Sequence, residues 1–305
     1  VVTNSKNGDF EKFASLGLAT PYSVITKYDT KGNILWSYAV GSKVGNHAIT
    51  DIVCTSDGGF YAVGYGRNIG GDVLSPNHFY DGFVYKYDKN GKELWHKVFK
   101  TTTVDLFKAG ALTSDGGIVV VGSVGNNDGD AAGFNKPALE TALCAVKYDS
   151  NGKLVWKNIF GGNKDALEDV CVDKDGNIFA VGSFYSDSLF KILGKIDSGV
   201  VKLNSAGKIV SAVPIAGTNN DVFSGITASK TGGVVIVGRS NSNDQDSTNS
   251  IFTGDMGSRG GYDSYIIKLN SDLSIAFAKP FRGQYDDARV DIMEKVKEIS
   301  HGRVL

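Results

Sequence analysis

A short stretch in the first third of the chain decides the fold. Residues 83–95 read FVYKYDKNGKELW, and close copies occur at residues 24–36 (VITKYDTKGNILW) and 143–156 (LCAVKYDSNGKLVW). Weaker copies end at residues 202–204 and 268–270, both KLN. Self-similarity at a period of about sixty residues indicates a tandem repeat in which each copy is one supersecondary unit. One lysine marks each copy: Lys27, Lys86, Lys147, Lys202 and Lys268.

Each repeat contains four β-like runs, which we call A, B, C and D. In the second copy they cover residues 48–55, 59–64, 82–87 and 92–99 and are rich in β-branched and aromatic residues. The A–B turn (SDGG, 56–59) and the C–D turn (DKNG, 88–91) are tight-turn sequences. Four short strands per repeat are typical of a propeller blade. The sequence therefore predicts an all-β fold, a single β-propeller of about five four-stranded blades.

The two ends of the chain resemble two parts of one repeat. Residues 301–305 (HGRVL) match the turn and first half of strand B at 115–119, and residues 1–4 (VVTN) match its second half at 120–123. We expect the ring to close by pairing these segments, because closure leaves no unpaired sheet edge. The predicted domain is residues 1–305, with the last blade completed by residues 1–29 together with about 271–305. A sixth blade supplied by longer flanks stays an alternative.

Composition bounds the class of protein. With 305 residues and 41% apolar side chains, the chain can bury a large core. Lysine plus arginine (32) balance aspartate plus glutamate (33), which argues against a dedicated nucleic-acid binder. No apolar run approaches the roughly eighteen residues that a membrane-spanning helix needs, so we expect no membrane span. We also expect the protein to be a monomer. The sequence contains three cysteines: Cys54, Cys144 and Cys171. We expect them to be buried and unpaired thiols, so they do not indicate whether the protein works in an oxidising or a reducing compartment.

The order of motifs resembles the bacterial β-propeller-repeat family over essentially the whole chain. The residues that carry the resemblance are 81–88 (DGFVYKYD), Gly91, Trp95, Gly161, Gly162, Asp165, 175–177 (DGN) and 181–183 (VGS). The resemblance implies a propeller from a secreted or cell-surface protein, so an extracellular or cell-surface location is expected. The fourth and fifth repeats depart from the pattern, because Ser211 and Ala276 stand in place of the tryptophan.

The connections between strands are unequal. The A–B and C–D turns are short and uniform, whereas the B–C loops are long and all different, at approximately residues 4–21, 65–80, 123–141, 183–197 and 239–262. Long loops on a rigid scaffold commonly carry binding, so we place function at this end of the blades. Helical spacing predicts short helices at residues 9–16 and, more weakly, at 188–193, which either cap their blades or grip a partner.

A polar column at the start of strand A, the strand nearest the axis, is the sharpest candidate site. Its members are His47, Asp105, Asp165, Asp221, and Asp291 or, with a local insertion, Asp287. Carboxylates that circle one channel mouth would repel each other, which raises some pKa values unless a cation or sugar hydroxyls meet them. The alternative is structural, since an aspartate at one repeat position often ties down a turn through backbone N–H groups.

The B–C loops also contain candidate metal ligands. Asp128, Asp130, Asp244 and Asp246 offer the hard oxygens that Ca²⁺ prefers. The same residues are ordinary turn formers, so calcium and plain turn chemistry both stay open.

Two further columns have packing interpretations. The repeated lysine is expected to lie between adjacent blades and to pair locally. Trp36, Trp95 and Trp156 are expected to pack rather than to form a sugar platform.

The sequence favours a non-catalytic module that binds or displays, with a glycan or a surface protein as partner. Four histidines are present, and none lies beside a nucleophile motif: His47, His78, His96 and His301. One alternative is a glycoside-active enzyme with axial carboxylates, which would need two acids in different environments. The other is a structural spacer without a ligand.

Overall fold

The structure is a computed structural model. It describes residues 2–3, 5, 7–19, 21–43, 45–67, 79–134, 141–162, 164–185, 189–244, 252, 261–281, 295–300 and 303–304. Within those residues no helix is both long and apolar enough to cross a bilayer. Asp246, Asp287, Asp291, His78 and His301 lie outside the described residues.

The described part of the chain is almost entirely β-structure. The strands are β1 (Val2–Thr3), β2 (Tyr22–Tyr28), β3 (Ile34–Val40), β4 (His47–Cys54), β5 (Phe60–Gly66), β6 (Asp81–Tyr87), β7 (Glu93–Phe99), β8 (Leu106–Leu112), β9 (Ile118–Val124), β10 (Ala142–Tyr148), β11 (Leu154–Phe160), β12 (Ala166–Val172), β13 (Ile178–Phe184), β14 (Asp197–Leu203), β15 (Ile209–Ile215), β16 (Asp221–Ala228), β17 (Val234–Ser240), β18 (Asp263–Leu269), β19 (Ile275–Phe281), β20 (Glu298–Ser300) and β21 (Arg303–Val304).

Consecutive strands pair in antiparallel four-stranded sheets, as the repeat predicted. The four-stranded sheets are β4–β7, β8–β11, β12–β15 and β16–β19. The structure also contains a three-stranded sheet, β1–β3, and a two-stranded sheet, β20–β21. Strands B and C are buried almost throughout, as in β6 and β9, whereas strand D is largely exposed, as in β7. This pattern is that of a blade whose inner strands are covered on both faces, and the fold is of the β-propeller class.

The chain divides into two compact units. The first comprises residues 1–120, 124–139 and 148–153, and the second comprises residues 121–123, 140–147 and 154–305. Sheets β1–β3 and β4–β7 lie in the first unit, and sheets β12–β15, β16–β19 and β20–β21 lie in the second.

Each end of the chain has the local structure that the repeat predicts. β1 pairs with β2, so it takes the place of a strand B beside a strand C. β20 and β21 form an antiparallel pair, which corresponds to strand A and the first half of strand B. Closure of the ring through these segments stays a prediction.

The C–D turns are held by one side chain at an equivalent position. Asp88 Oδ1 accepts hydrogen bonds from the backbone N–H groups of Asn90 (2.8 Å) and Lys92 (2.9 Å). The same bonds recur at Asp29, Asp149 and Asn204. Such side-chain-to-backbone bonds give the turn residue its preference, so the repeated Asp or Asn at this position is structural.

Strand A contains a bulge that ties neighbouring blades together. The register of β4 on β5 shifts between Ile49 and Asp51, and that of β12 on β13 shifts between Leu167 and Asp169. In the first unit, Asp51 Oδ2 accepts a hydrogen bond from Gly110 N of the next strand A at 3.0 Å. In the second unit, Asp169 Oδ2 accepts one from Ile226 N, also at 3.0 Å.

Two copies of the repeated lysine bridge blades, as the sequence predicted. Lys27 Nζ donates to Lys89 O (3.0 Å) in the first unit, and Lys202 Nζ donates to Ser271 O (2.7 Å) in the second. Lys86 instead places its ammonium 4.0 Å from the centroid of the Tyr61 ring. Lys268 Nζ donates to Gly232 O of its own blade, so the lysine does not have the same partner in every copy.

The tryptophans pack on the C–D turn of the following blade. Trp95 Nε1 donates to Ser150 O (3.0 Å) in the first unit, and Trp156 Nε1 donates to Ser205 O (3.0 Å) in the second. The indoles lie against Gly152 and Gly207, where an added Cβ would come within 2.9 and 2.5 Å of a ring atom. This contact supports packing rather than a sugar platform for the two rings.

The assignment of Ala276 to the tryptophan position is wrong. Trp95 is opposite Lys86 in the sheet, and the residue opposite Lys268 is Phe277. The fifth copy therefore keeps an aromatic ring at this position, whereas the fourth copy has Ser211 opposite Lys202. A one-residue offset in the weak sequence match caused the error, because a slip of one residue moves a side chain to the other face.

Of the two predicted helices, the first is present as a 3-10 helix over Gly8–Leu16. Its Phe13 is buried with Tyr22 and Val24 of β2, so this segment covers the blade to which it is attached. Residues 189–193 of the second predicted helix are not helical, and residue 188 lies outside the described part.

Candidate functional site

The polar column lies where strand A begins. His47 and Asp221 are the first residues of β4 and β16, and Asp105 and Asp165 immediately precede β8 and β12. All four side chains are buried, and the three aspartates have no exposed surface. Their carboxylates are thus enclosed by the loops around them.

Asp105 is surrounded by hydrogen-bond donors from two loops of its own unit. Its Oδ2 accepts from Thr101 N (2.5 Å), and its Oδ1 accepts from Thr101 Oγ1 (3.0 Å) and Gly125 N (3.1 Å). Thr101 belongs to the D–A connection and Gly125 to the start of the B–C loop. One carboxylate therefore joins the two connections at this end of the blade.

The same role recurs in the second unit. Asp165 accepts from Gly162 N (2.8 Å) of the D–A connection and from Tyr185 N (2.8 Å) of the B–C loop. Asp221 accepts from Gly217 N (2.6 Å) and from the hydroxyls of Ser240 and Ser242. The geometry of all three aspartates is that of the structural alternative, in which the carboxylate ties down backbone and loop groups.

Burial nevertheless shifts the pKa values of two aspartates in this column, Asp105 and Asp221. Loss of solvent raises the pKa of Asp105 and of Asp221 to about 7 each, against the lowering effect of their hydrogen bonds. The Asp81 charge adds to the shift at Asp105, and the Asp197 charge adds to it at Asp221. Both carboxyls are therefore partly protonated at neutral pH.

His47 replaces the aspartate in its blade and differs from it chemically. Its Nε2 lies 3.0 Å from Arg67 O, and its Nδ1 is buried without a hydrogen-bond partner in the described protein. Desolvation lowers the pKa of the imidazole, so the neutral form is favoured. A neutral imidazole can donate from Nε2 and leave Nδ1 without a proton.

A second set of carboxylates, at the first residue of strand C, was missed by the sequence interpretation. It comprises Asp81, Asp197 and Asp263, all buried. Asp197 accepts from Leu193 N and Gly194 N, and desolvation raises the pKa of Asp81 to about 6. The signal was available, because these residues occupy one repeat position and Asp81 opens the motif DGFVYKYD at residues 81–88.

The candidate metal ligands are engaged in hydrogen bonds between loops. Asp128 accepts from Thr102 N (2.8 Å) and Thr102 Oγ1 (2.5 Å), and Asp130 Oδ2 accepts from Lys100 N (2.9 Å). Asp244 accepts from Thr218 N (2.7 Å) and from the Thr218 hydroxyl. We call the Asp128–Thr102 and Asp244–Thr218 pairs the loop locks. No group of three or more His, Cys, Asp or Glu suited to a metal ion occurs among the described residues.

Beside the second loop lock lies a polar cluster that we call the Arg239 cluster: Asn219, Asn220, Arg239, Asn241 and Tyr262. The Arg239 guanidinium carbon lies 5.3 Å from the centroid of the Tyr262 ring, and Asn220 Nδ2 donates to Tyr262 Oη at 3.2 Å. Asn219 is exposed and the other four residues are half-buried. These side chains come from the D–A connection, the end of strand B and the start of strand C.

Comparison with protein-family models and with curated proteins gave no match. Among solved structures, the chain is similar to a gluconolactonase from Xanthomonas campestris, with 16% identity over 72% of this chain and 66% of that chain (TM-score 0.36). It is also similar to the WD40 domain of Neurospora crassa Pan2, with 13% identity over 82% of this chain and 68% of that chain (TM-score 0.42). A Hadza microbial sialidase gives 11% identity over 82% of this chain and 53% of that chain (TM-score 0.43).

This chain thus spans about two thirds of the first two proteins and about half of the third. Because every TM-score is below 0.5, the assignment of the fold rests on the repeated sheets of this chain, and the activities of those proteins carry no argument for it.

Proposed function

We propose that this chain is a non-catalytic module of a secreted or cell-surface protein, of the bacterial β-propeller-repeat type, that binds or displays through its B–C loops. The observation that carries the proposal is the use of the strand-A carboxylates. Asp105, Asp165 and Asp221 are fully buried and accept hydrogen bonds from their own loops. Groups that hold loops in place leave recognition to the residues that differ between repeats.

The partner that we propose is a glycan or a surface protein. The loop connections contain exposed amides such as Asn219, and amides and aromatic rings are the groups that sugars meet in proteins. The strand-A aspartates contribute by fixing the loops, because each of Asp105, Asp165 and Asp221 connects a D–A connection with a B–C loop.

A glycoside-active enzyme is the second candidate, and one observation favours it. The pKa of about 7 at Asp105 and at Asp221 lies where a general acid of a glycosidase works. However, burial raises the pKa of both residues to the same value of about 7, and catalysis of this type needs two acids in different environments.

A single experiment separates these candidates. The purified chain is assayed for turnover of a panel of chromogenic glycosides and for binding to immobilised glycans, alongside the Asp105→Asn and Asp221→Asn variants. We expect no turnover, lower melting temperatures for the variants, and glycan binding that both variants retain. Turnover that either variant abolishes would instead establish the enzyme, and a chain with neither property would be the spacer.

Calcium is a further proposal for Asp128, Asp130, Asp244 and Asp246. The ion would have to displace Thr102 from Asp128 or Thr218 from Asp244, because those oxygens now accept hydrogen bonds. Thermal unfolding in Ca²⁺ and in EDTA tests it: a rise in melting temperature that Asp128→Asn or Asp244→Asn removes supports a site. Identical unfolding in both solutions would exclude one.

A further inference from the structure

The Arg239 cluster has an arginine whose donors are unused. The guanidinium of Arg239 forms no hydrogen bond and no ion pair with the residues that the structure describes, and its Nε is buried without a partner. An arginine presents five N–H donors in a planar fork that fits a carboxylate. Of the guanidinium nitrogens, only Nε is buried without a partner, so a ligand carboxylate would approach the terminal N–H groups of the fork.

The neighbouring asparagine side chains also have hydrogen-bonding atoms that are not in use. Asn219 Nδ2 donates to Asn241 O (3.3 Å), and Asn241 Oδ1 accepts from Asn220 N (2.8 Å). Within the described residues no bond involves the Oδ1 atoms of Asn219 and Asn220 or the Nδ2 of Asn241. Acceptors and a donor thus remain unused in the cluster, and the hydrogen bond from Asn220 to Tyr262 links them to the ring that the Arg239 guanidinium contacts.

Comparison between repeats shows that the fold does not require these residues. The loop lock is the same in two repeats, with Asp128 on Thr102 and Asp244 on Thr218 at the same sequence separation of 26. At the positions that correspond to the Arg239 cluster, the repeat with the first lock has smaller or apolar residues: Thr103, Val104, Ser123, Gly125 and Thr141. The lock forms without the cluster, so the cluster has another role.

We propose that the Arg239 cluster binds an acidic glycan, with a uronic acid carboxylate on Arg239 and sugar hydroxyls on the free amide atoms of Asn219, Asn220 and Asn241. This inference deepens and rests on the proposed binding function. The Tyr262 ring and its hydrogen bond from Asn220 hold the guanidinium in position, since a cation over an aromatic face is attracted to it.

The test is calorimetric titration of the full chain with trigalacturonate, with maltotriose as the neutral control. We expect trigalacturonate to bind and maltotriose to bind at least tenfold more weakly. Arg239→Met should weaken trigalacturonate about ten- to hundredfold, the loss expected for charge-assisted hydrogen bonds. Arg239→Lys should fall between, because it keeps the charge and loses the fork.

Two further variants test whether the Arg239 cluster itself binds the glycan. Asn219→Ala changes an exposed residue, so it should fold normally and still lose several-fold in affinity. Arg67→Met is the matched control, because Arg67 also lies over a tyrosine, Tyr80, at 4.5 Å and also has an unpartnered Nε, but it belongs to another repeat and lies outside the cluster. It should leave the affinity unchanged.

Several outcomes would overturn the proposal. Folded wild-type protein with no affinity for trigalacturonate contradicts it, and so does undiminished binding by folded Arg239→Met and Asn219→Ala. Glycan binding that survives both changes would leave the proposed binding function intact and remove only this site. Hydrolysis of a glycan would instead contradict the non-catalytic function.

Discussion

At the scale of single residues, repetition separates structural side chains from distinctive ones. A position that carries the same hydrogen bonds in several blades, as Asp88 and Asp149 do, is explained by the turn it holds. A position where one blade differs needs its own account. His47 is such a residue, because a neutral ring with an unpartnered Nδ1 stands where other blades have a carboxylate.

His47 should make stability depend on pH. Burial lowers the pKa of its folded form below the value of 6.5 in the unfolded chain, so the unfolded state binds the proton more tightly. Its contribution is present above about pH 6.5 and is lost as the pH falls. Between pH 7 and 5 the free energy of unfolding should fall more in the wild type than in His47→Asn.

The comparison with His47→Asn is needed because the aspartates act in the opposite direction. The pKa of Asp105 is raised to about 7, so its contribution favours folding at low pH and is lost as the pH rises through 7. That contribution is common to both proteins and cancels in the difference between their urea denaturation curves. Equal pH profiles for the two proteins would contradict the role of His47.

Gly152 should resist substitution for a steric reason. Its φ is 81°, and a Cβ would lie 2.9 Å from Trp95, so Gly152→Ala should lower the free energy of unfolding by about 2–4 kcal/mol. Gly116→Ala is the matched control, because φ is 77° and the nearest atom would be 3.8 Å away. It should cost only the backbone term, about 1–2 kcal/mol. Equal losses in denaturant titrations would show that the indole contact is unimportant.

At the scale of elements, the connections at one end of each blade are linked by side chains rather than by strand pairing. Asp105 joins its D–A connection to its B–C loop, and the loop locks do the same with Asp128 and Asp244. These bonds fix loops that lack a ladder of backbone hydrogen bonds. The variable residues of the Arg239 cluster therefore stand on a rigid base, which lowers the entropy lost on binding.

The second loop lock should be measurable by a double-mutant cycle. Asp244→Ala leaves Thr218 N–H and hydroxyl without their acceptor and should cost about 2 kcal/mol, whereas Thr218→Val keeps the N–H bond and should cost about 1 kcal/mol. The double variant should cost less than the sum, because the hydroxyl bond is lost only once. Additive losses in chemical denaturation would mean that the two side chains act independently.

At the scale of the whole molecule, the three cysteines differ in how far their side chains are buried. Cys54 is exposed and Cys144 is buried, and burial raises the pKa of the Cys171 thiol well above its usual value. The prediction that all three are buried is thus wrong for Cys54, which is exposed, and for Cys171, whose exposure is intermediate. Both lie on strands A whose faces are only half covered. None of the three described cysteines forms a disulfide, as the odd number and the apolar surroundings predicted.

One thiol should react quickly in the native protein. Thiolate is the reactive species, so Cys54 should react with Ellman's reagent while Cys144 and Cys171 stay protected. In guanidinium chloride all three should react. Cys54→Ser should abolish the fast phase, and a fast phase that remains in this variant would contradict the assignment.

Ring closure can be tested with deletions at the two ends. If residues 1–4 and 298–305 complete one blade, either deletion leaves that blade incomplete and lowers the melting temperature. Removing both should then cost less than the two losses added together. A fully additive result would contradict closure.

The sequence by itself determined the class of fold, the four strands of each repeat and the turns between them. This was possible because strand alternation, turn residues and the repeat are local properties that recur at a fixed spacing. It also predicted that Lys27 lies between blades, since a side chain kept in several repeats must meet something the repeats share, and that Trp95 packs.

Only the tertiary structure decided how the candidate site is used. Asp105 and Asp221 could have faced a ligand or their own loops, and the choice depends on donors that lie 4 to 21 residues away along the chain. The Arg239 cluster is likewise assembled from segments that are separate in sequence, so no spacing of residues along the chain predicts it. Folding brings those groups together. It buries the Asp221 carboxyl, which raises its pKa, and it leaves the Arg239 guanidinium without a hydrogen-bond partner among the described residues.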